Sequence, residues 1–151
     1  MRLAEAVGSE EGGWLIADGG WRSAAEERRY LKAIRRHKYA AVLVAENEEG
    51  IVGRISLARD PHPASEHIAD LGIMVAQGHR RQGIGRALME AGEAWAREVG
   101  VTKLELHVFP HNHAAIALYE QLGYEREGYR RRHYRRDDGY VDAILMAKHV
   151  G

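Results

Sequence analysis

The apolar and polar positions fall into two rhythms along the chain. Tyr39–Glu46 (YAAVLVAE) and Ile51–Ala58 (IVGRISLA) are short apolar runs rich in β-branched residues, joined by Asn47-Glu48-Glu49-Gly50. A four-residue link carrying glycine between two such runs predicts a β-hairpin. His67–Val75 (HIADLGIMV) predicts a strand with Ile68, Asp70, Gly72 and Met74 on one face and Ala69, Leu71, Ile73 and Val75 on the other. Gly83 to Val99 changes rhythm: Ile84, Leu88, Ala91, Trp95 and Val99 recur at helical spacing, and Gly100 supplies a stop. Thr102–Phe109 alternates as a strand that Pro110 ends, and Ala114–Leu122 reads as a short helix closed by Gly123. Two last strands, about Tyr124–Arg136 and Tyr140–Ala147, flank the turn signal Asp137-Asp138-Gly139. Upstream, Ser23 with Glu26 forms a capping box for a helix reaching about His37. The pattern is mixed α/β, with helices inserted between strands.

At 151 residues the chain fits one domain, spanning 1–151, with no linker or internal repeat. Apolar residues at 45% and charged residues at 29% exclude wholesale disorder. Lys+Arg and Asp+Glu both total 22, which disfavours a dedicated binder of nucleic acid or anionic membrane. Cysteine is absent, so thiolate nucleophiles, disulfides and cysteine-based metal sites are excluded. Nine histidines are present, but no His-Glu-x-x-His helix, and no metal site is expected. No apolar run approaches the roughly 20 residues that span a bilayer. The acidic start MRLAEAVGSEEGG does not read as a signal peptide, so a cytoplasmic location is expected.

The sharpest local feature is Arg80-Arg81-Gln82-Gly83-Ile84-Gly85-Arg86, set between a strand and a helix. Glycines there leave backbone N–H groups unobstructed, and a helix start carries about half a positive charge. Arg80, Arg81 and Arg86 add full charges, so phosphate is the natural guest. An ordinary glycine turn with solvated arginines fits the same local pattern. Neither a Walker loop nor a Rossmann loop fits, since the lysine of the first and the third glycine of the second are missing.

The run Leu71-Gly72-Ile73-Met74-Val75, then Arg80-x-x-Gly83-x-Gly85, resembles the acyl-CoA signature of the GNAT superfamily of N-acetyltransferases. About 30 residues on, NHAAIALYEQLGY from Asn112 to Tyr124 resembles that family's second signature, Asn-x-x-Ala-x-x-Leu-Tyr-x-x-Leu-Gly-Phe/Tyr. The resemblance covers roughly Tyr39 to Ala147, and EGYRRRHYRRDDGYVDAILMAK is similar to members that acetylate free amino acids or other small amines. It implies a mixed, largely antiparallel sheet with helices on both faces and a splay between two strands at the acetyl-CoA site. It implies direct acetyl transfer from acetyl-CoA, as co-substrate, to a primary amine.

The resemblance assigns roles residue by residue. Backbone N–H groups of Gln82, Gly83, Ile84, Gly85 and Arg86 would hold the CoA pyrophosphate, with charge from Arg80 or Arg81. The backbones of Ile73, Met74 and Val75 would pair with the pantetheine arm, and Val75 N–H would position the thioester carbonyl. Asn112 would contact the arm, although it equally suits a helix cap. Tyr119 lies seven residues on, on the same helix face, and would stabilise the departing thiolate. Asp70 is the candidate general base, and an ordinary strand carboxylate is the competing reading. His67 has a better-matched pKa but falls on the opposite face by strand parity.

Two rival functions carry their own features: a non-catalytic acyl-CoA-binding module, and a nucleic-acid binder using the six arginines and two tyrosines of Arg126–Arg136. The family's first strand has no clear counterpart in Met1–Gly20, where Trp14-Leu15-Ile16-Ala17 is the only apolar cluster. If that strand is missing, a sheet edge stays open, and a homodimer would cover it.

Overall fold

A computed structural model describes residues 28, 29, 32, 40–80 and 83–151. Arg28, Arg29 and Lys32 are helical, within the helix predicted from Ser23. The rest of that helix, the Trp14–Ala17 cluster, Arg81 and Gln82 lie outside the described residues.

Six strands form one sheet: β1 Ala40–Asn47, β2 Gly50–Arg59, β3 Ile68–Val75, β4 Lys103–Val108, β5 Glu125–Arg136 and β6 Gly139–His149. Helix α1, Ile84–Val99, connects β3 to β4, and α2, His113–Gln121, connects β4 to β5. The spatial order is β1-β2-β3-β4-β6-β5. Every neighbouring pair is antiparallel except β3 with β4, which the α1 crossover makes parallel. The predicted hairpin is β1–β2, closing at Asn47↔Gly50. The Asp-Asp-Gly turn joins β5 to β6 at Arg136↔Gly139.

Alternation decides the core. Ile55 and Leu57 of β2, Ala69 and Leu71 of β3, and Leu104 and Leu106 of β4 are buried. Leu88, Met89 and Ala96 of α1 pack against them, each large apolar side chain contributing about 1.5–3 kcal/mol. The helix face is centred differently from the predicted stripe: Ala91 is exposed, while Met89, Gly92 and Ala96 are buried. Gly92 explains the shift. A Cβ there would lie 3.0 Å from Ile55 Cδ1 and 3.3 Å from a Leu57 methyl, so its missing side chain lets α1 sit down on β2. Gly100, in the left-handed region at φ 83°, ends α1 as its sequence position predicts.

Candidate functional site

The parallel pair β3–β4 has three register pairs only, Ile68↔Lys103, Ala69↔Leu104 and Asp70↔Glu105. Beyond Asp70 the strands part. β3 stays paired with β2 as far as Gly53↔Val75, and β4 stays paired with β6 as far as Val108↔Ile144. A gap therefore opens inside the sheet between Leu71–Val75 and Leu106–Val108. Ala76 N–H donates to Val52 O at 2.8 Å, toward β2. Backbone alternation then turns the N–H groups of Ile73 and Val75 the other way, into the gap. Met74, grouped with them in the sequence, turns its backbone to Arg54 of β2. The gap edge of β3 is thus a short row of strand donors and acceptors, of which Val75 O is taken by Arg80 Nε.

The glycine turn lies where β3 ends. Gly83 is the N-cap of α1 at φ 84°, a left-handed conformation that glycine adopts without penalty, and it offers no capping side chain. The first turn of α1 leaves its N–H groups without intrahelical acceptors, and the helix dipole adds positive potential there. Gly85 packs closely: a Cβ would lie 3.2 Å from Leu118 Cδ2 of α2. Arg80 Nε donates to Val75 O at 3.0 Å and fastens the end of β3 to the turn. Arg86 Nη2 donates to Gln121 Oε1 at 3.1 Å and ties the start of α1 to α2. Ile84 is half-buried against the core, so a ligand contact there would use its backbone.

On α2, Asn112 is the N-cap: its side chain accepts from Ala115 N–H at 3.3 Å. The cap reading of Asn112 is therefore realised, whatever else its amide does. Tyr119 is buried at 7% exposure and packs toward Tyr124, ring centroids 6.1 Å apart. Burial pushes its phenol up to about 12.

The face of the sheet that carries Asp70 is polar around the gap. Asp70 pairs in register with Glu105. Burial, and then the Glu105 charge, push the Asp70 carboxyl up from 3.8 to about 6. Asp70 keeps solvent contact, so this crowding is that of a cleft wall. Two residues along β3, a Cβ on Gly72 would meet nothing within 4 Å, so the floor beside Asp70 is open. Two residues along β4, His107 accepts or donates at Nδ1 with Tyr134 Oη, 3.0 Å away. Sequence reasoning missed Glu105, His107 and Tyr134. The alternation of TKLELHVF did carry a signal for the first two, since it sets Glu105 and His107 on the face opposite Leu104 and Leu106. His67 is exposed ahead of β3, and its carbonyl accepts from Thr102 N–H. Among the described residues no group of three His, Asp or Glu side chains is arranged to hold a metal ion. No helix among them is long and apolar enough to cross a membrane.

Asp70 makes stability depend on pH. Its folded pKa is raised, so between about pH 4 and 6 the folded state binds the proton more tightly than the unfolded state. Stability falls as pH rises through that window, and the cost persists above it. Asp70→Asn is expected to stabilise the fold at pH 7–8 by about 1 kcal/mol, a value discounted for solvent screening. The gain should vanish below about pH 4. Thermal melts of both proteins across pH 3–8 check this.

The Acetyltransferase (GNAT) family model matches residues 11–124. The L-amino acid N-acetyltransferase AaaT of Escherichia coli (strain K12) is 36% identical over 110 residues, covering 70% of this chain and 66% of that protein. The [ribosomal protein bS18]-alanine N-acetyltransferase of the same strain is 47% identical over 75 residues, covering 50% of this chain and 51% of that protein. The chain thus aligns with about half to two thirds of the length of these relatives. An acetyltransferase of the GNAT family from Streptococcus pneumoniae superposes with a TM-score of 0.87 at 27% identity, covering 99% of this chain and 90% of that one. With a parted parallel strand pair, an uncapped glycine-led helix and both signatures in place, the chain belongs to the GNAT acetyltransferase family.

Proposed function

We propose that the protein transfers an acetyl group from acetyl-CoA directly to the primary amine of a small molecule or amino acid. The observation that carries this is the gap between β3 and β4, which exposes the Ile73 and Val75 N–H groups beside the free N-terminus of α1. An extended, amide-bearing chain ending in a pyrophosphate fits such an edge: its amides pair with β3 and its phosphates meet α1. Gly83, Ile84, Gly85 and Arg86 supply the phosphate N–H groups, and Val75 N–H is the donor for the thioester carbonyl. Tyr119 donates to the departing sulfur. Asp70, with Glu105 beside it, binds the ammonium form of the acceptor and is the carboxylate available to its proton. The relatives named for L-amino acids and for a protein's alanine support an amine acceptor. The open floor at Gly72 leaves room for the acceptor beside Asp70.

The test is thiol release from acetyl-CoA across amino acids, polyamines, aminoglycosides and peptide N-termini. Release with a free amine supports the reading. Acetyl-CoA binding without release across the panel overturns it in favour of a non-catalytic acyl-CoA module.

Gly72→Leu fills the open floor without a backbone clash. It is expected to raise the acceptor KM roughly tenfold or more, by taking up the space proposed for the acceptor, and to leave the acetyl-CoA thermal shift unchanged. An unchanged acceptor KM would move the acceptor away from Gly72. If no strand precedes β1, that sheet edge is open, and pairing of two copies along it is a separate part of the proposal. Light scattering at micromolar protein is expected to report a dimer.

A further inference from the structure

We infer that Arg130 holds an acid group of the acceptor, so that the amine acetylated here belongs to a free amino acid or to another amine bearing one carboxylate. The inference rests on the acetyl-transfer reading and names the acceptor class at the same site.

Pairing across the sheet sets the cleft face in rows. Asp70, Glu105, Ala147 and Glu125 form one row, linked through the registers of β3 with β4, β4 with β6 and β6 with β5. His107, Leu145 and Gly128 form the next, and Gly72 stands two residues beyond Asp70 on the other side of the gap. Gly72 and Gly128 bring no side chain to this face. A Cβ on Gly72 would meet nothing within 4 Å, and one on Gly128 would meet Leu145 Cβ in ordinary contact at 3.9 Å. The row after that carries Arg130, paired with Ala143. An acidic row and an arginine thus flank a low trough. A zwitterion matches that polarity, its ammonium toward Asp70 and Glu105 and its carboxylate toward Arg130.

Arg130 is available for that task. Other arginines of β5 are engaged: Arg126 Nη2 donates to Glu120 Oε1 at 3.3 Å, and Arg136 lies 5.5 Å over the Phe109 ring. Lys103, the cation at the acidic end of the trough, is held by Glu127 at 3.0 Å and Glu105 at 3.8 Å. Arg130 is exposed and makes no hydrogen bond or ion pair with the described residues. Its planar fork of donors fits a carboxylate at two points at once.

A distortion of β5 leaves this one guanidinium beside the trough. The register with β6 jumps from Arg130↔Ala143 to Tyr134↔Val141, so three residues of β5 face Asp142 alone. Regular pairing would have set Arg132 opposite Val141, next to Arg130 on the cleft face. Instead Arg132 takes φ 51°, in the left-handed region that a long side chain rarely adopts, and its guanidinium stacks 4.5 Å over Tyr140. Asp142 braces the bulge, accepting from Arg132 N–H at 2.6 Å and from Tyr129 Oη at 2.5 Å. Bulges re-aim side chains beside active sites. This one takes a second arginine off the cleft face and puts Tyr134 in its place, ringed by His107, Phe109 and His133.

Tyr134 stands between the two charges. Burial, then the Asp70 charge, hold its phenol above the usual range, with Arg130 opposing. Burial first, then the charges of Arg130 and His133, hold His107 below the usual imidazole range. Both groups are therefore neutral at pH 7, and Arg130 is the cation left to meet an anion on the β5 side of the trough.

The experiment compares each amino acid that reacts in the thiol-release panel with its primary amide and its decarboxylated amine. The amine of the amide is a weaker base than that of the acid and the decarboxylated amine a stronger one, so amine basicity alone cannot favour the acid over both. The unsubstituted protein should prefer the acid to both in kcat/KM by about tenfold or more. Arg130→Gln should lower that preference about tenfold or more, chiefly through KM, and Arg130→Lys should restore part of it. Arg135→Gln removes an equal charge from the opposite face of β5 and should leave the preference unchanged. The acetyl-CoA thermal shift should survive in all three variants. Equal use of acid, amide and decarboxylated amine, an intact preference in Arg130→Gln, an equal loss in Arg135→Gln, or an acetyl-CoA shift lost in Arg130→Gln would each overturn the inference while leaving acetyl transfer standing. Thiol release with peptide N-termini that carry no nearby acid group, and not with free amino acids, would do the same. No thiol release from the unsubstituted protein with any amine overturns both.

Discussion

Tyr119→Phe is expected to lower kcat at least about tenfold and to leave acetyl-CoA affinity nearly unchanged. The phenol near 12 and a thiol near 8.5 differ enough that full proton transfer to the departing thiolate is uphill on the order of 5 kcal/mol. Burial thus makes Tyr119 a poorer acid than free tyrosine and a more reliable hydrogen-bond donor, protonated throughout the working range. A donor aimed at sulfur acts where charge develops, as the carbon–sulfur bond breaks, so its loss appears in turnover. The substitution keeps the ring and its packing toward Tyr124, so the fold should hold. Turnover near normal, with chemistry shown to be rate-limiting, would reduce Tyr119 to a packed aromatic.

Gly83→Val is expected to abolish the stabilisation by acetyl-CoA, which for a sound site is about 2.7 kcal/mol at a hundredfold excess over the dissociation constant. No neighbouring atom would collide with the new Cβ; the obstacle is conformational. At φ 84° a valine backbone is strained by about 1–2 kcal/mol or more, and relief at negative φ re-aims the N–H groups that open α1. Thermal melts with and without acetyl-CoA read this directly. A full ligand-dependent shift in the variant would remove the phosphate role from this turn.

Strands and caps were legible because their signals are local. Alternation in HIADLGIMV set Asp70 and Gly72 opposite Ala69 and Leu71, and burial follows that division. Gly83 and Gly100 marked both ends of α1. Four of the five predicted positions of α1, Ile84, Leu88, Trp95 and Val99, do pack on the core. Ala91 does not, because the close approach of Gly92 to Ile55 turns the face toward Met89, Gly92 and Ala96. Asp70 could be picked out, but its partner Glu105 could not, since the parallel pairing that joins them is made through the α1 crossover. Tyr134 was harder still. In RRRHYRR, strict alternation assigns it the wrong position, and the bulge that moves it depends on Asp142 in the next strand.

The parting of β3 from β4 also bears on how the molecule comes undone. With three residue pairs joining β1-β2-β3 to β4-β6-β5, the sheet is two three-stranded halves riveted along a short seam, with α1 lying across both. Sub-global opening follows the line with fewest bonds to break, and among the described strands this seam is that line. A substrate that lies in the gap as an extra strand lengthens the seam from within. Resistance to unfolding and proteolysis then rises with substrate supply, and the lifetime of the folded chain becomes a gauge of the acyl donor around it.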